Sequence, residues 1–66
     1  MQVDKSRKQV ELERLRLEHR ALDEQIMDIE RRSYLSPGEE AEVKRLKVLK
    51  LHKKDEIAAL ARQANA

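Results

Sequence analysis

Sixty-six residues make one small unit, and a chain of this size buries only about 60% of its unfolded surface. With no cysteine, a single aromatic residue and 42% charged residues, a disulfide scaffold and a thiolate metal site are excluded and a charged, periodic helix is favoured. The net charge of +2 comes from 15 basic and 13 acidic residues, with 8 of each sign in residues 1–32 and 7 against 5 in residues 33–66, so neither half is a basic tail.

The chain from Met1 to Arg20 lacks the apolar run of a signal peptide. No stretch approaches the ~20 apolar residues of a membrane span, and the expected setting is the cytoplasm. Asp4 or Ser6 is the expected cap of a first helix over about residues 5–32. Its apolar positions are Leu12, Leu15, Leu22, Ile26 and Ile29; with His19 inserted, the spacings run 3, 4, 3, 4, 3. That is the a/d seam of a coiled coil. Arg31 and Arg32 are expected in the last turn, where cations favour the negative end of the helix dipole.

Ser33-Tyr34-Leu35-Ser36-Pro37-Gly38-Glu39 contains the only proline and the only glycine. Proline cannot continue a helix interior, and it pushes the residue before it toward extended geometry. Ser36 suits an N-cap, Pro37 the first helical position and Glu39 the third, which is the pattern of a capping box. A turn over about residues 33–36 therefore starts a second helix over about 37–62. Its seam reads Val43, Leu46, Lys50, Lys53, Ile57, Leu60, with lysines at two central positions and Leu49 beside them. A lysine stem can pack along apolar surface while its ammonium reaches water. Residues 63–66 are expected to fray.

A short connection makes the helices antiparallel. The fold class is all-α, a coiled-coil-like two-helix hairpin. Pairing Ile29 with Val43 sets Ile26 against Leu46, Leu22 against Lys50, Leu15 against Ile57 and Leu12 against Leu60. In that register His19 faces His52 and Lys53, and Asp23 lies near Lys47 and Lys50. Apolar residues remain on the outer sides: Val3, Val10 and Leu17 with Ala21 on the first helix, and Val48, Leu51 and Ala58 on the second. A second stripe on so thin a hairpin points to a covering surface. The expectation is a homo-oligomer, most simply a two-fold dimer forming a four-helix bundle.

Two segments carry a family likeness. Leu17-Glu18-His19-x-x-Leu22-Asp23-x-x-Ile26, followed by Leu46-Lys47-x-x-Lys50-Leu51-x-x-Lys54-Asp55-Glu56-Ile57, resembles the YdcH-like family of small bacterial proteins (domain of unknown function 465). The resemblance covers about residues 12–60, and the Lys-Leu-x-x-Lys-Asp-Glu run is its most specific part. It implies a short antiparallel helical hairpin, bacterial and cytoplasmic, with no established activity. Related segments beside coiled coils of larger proteins suit an assembly role. The chain departs from the family pattern at Lys53, apolar in some relatives, and in its longer turn.

Lys44, Arg45, Lys47, Lys50, Lys53 and Lys54 run without an intervening acid, which makes a phosphate-contacting face the alternative reading. Against it, these cations spread around most of the helix, acids flank them, and only Tyr34 offers a stacking platform. His19, His52 and Asp23 would make a poor metal site with lysines at the same level, and no cofactor is expected. Ser6, Ser33 and Ser36 have no histidine and carboxylate placed for a triad. Glu39/Glu40 and Asp55/Glu56 lack an environment that would raise one pKa. No glycine-rich phosphate loop is present, and a hairpin encloses little volume. Membrane-surface binding lacks Trp and Phe anchors. The reading is a non-enzymatic interaction module: Val10, Leu17, Val48 and Leu51 carry oligomer or partner contact. Asp23, Lys47, Lys50, Lys54 and Asp55 form the charged face that sets specificity.

Overall fold

A computed structural model describes residues 6–64; Val3 and Asp4, and residues 65–66, lie outside the described residues. Ser6 takes an extended conformation, its hydroxyl accepts from the Gln9 N–H at 3.1 Å, and the Gln9 side chain accepts from the Ser6 N–H. This capping box starts helix α1 (Arg7–Glu30) and satisfies donors that a helix N-terminus leaves open. Helix α2 (Pro37–Ala64) begins with the same device: the Ser36 hydroxyl accepts from the Glu39 N–H at 3.2 Å, and the Ser36 N–H donates to Glu39 Oε1 at 2.9 Å. The turn and the start of α2 are therefore as the Ser-Pro-Gly-Glu run requires.

The helix ends differ from the sequence reading. Helix α1 closes at Glu30, so Arg31 and Arg32 stand outside it rather than in its last turn. Arg31 is the C-cap and its N–H donates to the Met27 carbonyl at 3.0 Å. The Arg32 N–H reaches the Ile29 carbonyl at 3.2 Å, a tighter closing bond that satisfies one of the terminal carbonyls. At the other end α2 runs two residues beyond the expected 62, to Ala64. Nothing breaks the helix there, since Ala61, Arg62, Gln63 and Ala64 include no proline or glycine.

The helices pack antiparallel along one seam, in a body 51 Å long and 12 Å thick. Leu12, Leu15, Ile26, Val43 and Leu46 are the buried residues, and each of the other seam positions is half-buried. Ile26, Val43 and Leu46 form one cluster next to the turn, with Leu22, Ile29 and Leu35 packed against it. Leu35 comes from the connection itself, so the turn is anchored by apolar packing as well as by the cap. Leu49 is largely outside the seam. Between the turn cluster and buried Leu12 and Leu15 lies a polar stretch of His19, Lys50 and Lys53, all half-buried.

Truncating the turn cluster should be the costliest change. Ile26→Ala or Leu46→Ala is expected to lower stability by about 2–5 kcal/mol, and Ser36→Ala by about 0.5–2 kcal/mol. Urea unfolding followed by helical circular dichroism reads both. Equal effects of Leu46→Ala and an exposed-face Arg16→Ala would contradict this placement of the core.

Candidate interaction surfaces

A lysine at a seam position can keep its stem in the seam only if its ammonium finds charge or water at the edge. Lys50 Nζ reaches Asp23 Oδ1 at 2.5 Å, and Lys53 Nζ reaches Glu18 Oε1 at 2.9 Å. Asp23 and Glu18 are five residues apart on α1, which puts them about 140° apart around its axis. The two lysines thus grip α1 from opposite flanks, with His19 and Leu22 between them. Glu18 is shared, because Arg14 Nη1 holds its other oxygen at 2.7 Å. Arg14 also binds Glu11, and Lys53 lies 3.8 Å from Glu56. The result is a chain of alternating charge, Glu11, Arg14, Glu18, Lys53, Glu56, across the helix interface.

These contacts set the protonation of their members. Bonding to the Lys53 ammonium, with Arg14 adding to it, holds the Glu18 carboxyl below its ordinary 4.5, although its partial shielding from water works against this. The Lys50 ammonium does the same for Asp23, below the ordinary 3.8, with a smaller contribution from His19. Bonding to Glu18 raises Lys53 above 10.5. Arg45 lowers Glu42, its bidentate partner one turn away, with the shorter contact at 2.6 Å.

Other pairs do not follow from the seam spacing. Lys47 goes to Glu30 at 3.0 Å, a partner the expected register does not name. Arg32 crosses the turn to the same Glu39 that caps α2. His52 is exposed and His19 half-buried, and Lys53 turns to Glu18. Among the described residues no group of three or more His, Cys, Asp or Glu gathers as a metal site. At the open end of the hairpin a shallow groove of about 300 Å³, floored by Leu15, Ala59 and Leu60 and rimmed by Glu11, Arg14, Lys53 and Glu56, is more room than a bare hairpin leads one to expect. It is a trough open to solvent rather than an enclosed pocket.

The residues named for partner contact stand on the outside. Val10, Leu17, Val48 and Leu51 keep 52%, 63%, 52% and 55% of their surface accessible, far more than the seam residues. Met27, at 49%, is exposed as well; it falls beside the α1 stripe rather than on its seven-residue repeat, so the repeat does not reveal it. Of the charged set, Asp23, Lys50 and Lys47 are tied up within the hairpin, whereas Lys54 and Asp55 are exposed and have no ion-pair partner among the described residues. The first group therefore holds the fold's register, and only the second projects free charge.

An antiparallel all-α hairpin with a mixed polar and apolar seam is the class these features define. The family described as "Protein of unknown function (DUF465)" matches residues 12–61, and the chain belongs to that family. The match spans the seam from Leu12 to Leu60 and takes in Leu17, Val48 and Leu51, while Val10 precedes it. No curated protein and no solved structure matches the chain. No helix among the described residues is long and apolar enough to cross a membrane.

The depressed carboxyls of Glu18 and Asp23 fix a sign for pH dependence. Their stabilising contribution is complete above the ordinary values of 4.5 and 3.8 and is lost as pH falls through the lower folded values. Lys53 acts oppositely: its contribution is full below 10.5 and fades as pH rises through its raised value. Melting temperature by circular dichroism should be level through neutral pH and drop below pH 4.5. Glu18→Gln with Asp23→Asn should lower the plateau and flatten that acid limb. An unchanged limb in the double variant would show that these pairs do not carry it.

Proposed function

We propose that the chain is a cytoplasmic, non-enzymatic interaction module: a helical hairpin that self-associates and offers its remaining surface to another protein. The observation that carries this reading is the exposed aliphatic set Val10, Leu17, Val48 and Leu51 on a unit whose buried core, among the described residues, is only five side chains. Exposed aliphatics at regular helical positions suit a covering partner better than water. The cross-helix pairs of Lys47, Lys50 and Lys53 support the same reading, since they are spent on register within the hairpin.

The same ion pairs weigh against the nucleic-acid alternative. Arg45, Lys47, Lys50 and Lys53 are each neutralised by a carboxylate of the hairpin. Lys44 and Lys54 are left ten residues apart, too sparse for a continuous phosphate-tracking strip. The open groove, with its alternating charges and no buried nucleophile or base, gives no support for catalysis.

Sedimentation equilibrium tests the core of the proposal. The 7.8 kDa chain should sediment above monomer mass at high micromolar concentration, with little change between low and raised salt. A monomer throughout that range removes self-association. Tight DNA or RNA binding that weakens steeply with salt, and is abolished by Lys44→Glu with Lys54→Glu, would replace the proposal with the nucleic-acid reading.

A further inference from the structure

The outer side of α2 has an order of its own. Ala41, Lys44, Val48, Leu51, Asp55 and Ala58 follow one another at spacings of 3, 4, 3, 4 and 3, and all of them are exposed. That spacing is a second heptad seam, on the side of the helix turned away from α1. Its chemistry is ordered as small, cation, aliphatic, aliphatic, anion, small. Read in reverse, each position meets its complement.

We propose that this face docks a second copy of the chain, with the two α2 helices antiparallel about a two-fold axis level with Leu49 and Lys50. The inference rests on the self-association proposed above and assigns it a surface and a register. Val48 then packs against Leu51 of the second copy at the centre. Lys44 stands opposite Asp55 of the second copy, and Ala41 opposite Ala58 of the second copy, so small side chains at both ends let the helices approach closely. Because the contact is isologous, each pairing occurs twice.

Charge singles out this face. Lys44 and Asp55 have no ion-pair partner within the chain among the described residues, while Lys47 on the flank is held by Glu30. The sequence thus leaves one cation and one anion free on this seam, at equal distances from its centre. Helix α1 has no comparable arrangement: a register that pairs Val10 with Leu17 of another copy calls on Arg14, which already bridges Glu11 and Glu18. Helices α1 lie outermost in such a dimer, giving a flat four-helix layer and leaving Val10 and Leu17 for a different protein.

A charge-exchange experiment decides the matter, with folding of each variant checked by circular dichroism. Lys44→Glu and Asp55→Lys, tested separately, should each weaken self-association about tenfold, because both create two like-charge contacts. An equimolar mixture of the two variants should recover wild-type affinity as a heterodimer, since every opposing pair is then of opposite sign. Leu51→Lys should abolish association and Leu17→Lys leave it unchanged. A mixture that binds no tighter than either variant alone overturns the register. Loss of association in Leu17→Lys but not in Leu51→Lys overturns the surface while self-association itself stands. A wild-type monomer at all concentrations removes both.

Discussion

A lysine cannot leave its ammonium in a greasy seam, and the central geometry of this hairpin follows from that constraint. Where an ordinary two-helix coil would place leucines, Lys50 and Lys53 each carry a charge to the edge and deliver it to a carboxylate of α1. Because Asp23 and Glu18 lie on different flanks, the two contacts resist rotation of α1 in both senses. They also resist sliding, since a shift by one turn would separate each lysine from its acid. Exposed ion pairs contribute little to stability, so the benefit is specificity of register. Stability comes from the buried apolar residues, above all the turn cluster of Ile26, Val43 and Leu46 with Leu35 packed against it, and from Leu12 and Leu15 toward the open end.

This division of labour explains why the basic composition of α2 is a poor guide to its partners. The run from Lys44 to Lys54 has a strong positive sign in one dimension. In three dimensions it is opposed by Glu18, Asp23, Glu30 and Glu42, and little of it remains to act on another molecule. Arg32 and Glu39 add a strap over the turn, so even the hinge of the hairpin is neutralised locally.

Features set by local chemistry or by periodicity were legible in the sequence. Ser36, Pro37 and Glu39 announce a helix start in a few adjacent residues, and the cap forms as their side chains dictate. The seam from Leu12 to Ile29 and from Val43 to Leu60 follows from spacing alone, and every one of its positions is at least half-buried. Long, flexible side chains were harder to place. Lys47 ends on Glu30, two turns along α1 from Asp23, and spacing alone does not say which acid a flexible four-carbon stem meets. The end of α1 is not legible because Arg31 and Arg32 are good helix formers with favourable charge, whereas the chain closes there with a tighter bond from Arg32 to the Ile29 carbonyl. Leu35 belonged to neither periodic run, so its role at the turn emerged only with the fold.

Two seams on one helix make α2 the organising element of the molecule. A helix that is apolar on one stripe is satisfied by one neighbour; a helix with apolar residues on opposite sides needs a neighbour on each. Helix α1 covers the first side of α2, where the lysines find acids waiting for them. On the second side Lys44 and Asp55 frame Val48 and Leu51 with no acid or base among the described residues of the same chain to meet them. The same rule, that a charge beside an apolar seam must be matched across it, accounts for the side of α2 that is filled. Applied to the side that is bare, it calls for a neighbour with an anion where α2 has a cation and a cation where it has an anion, a description that α2 itself fulfils when turned end for end.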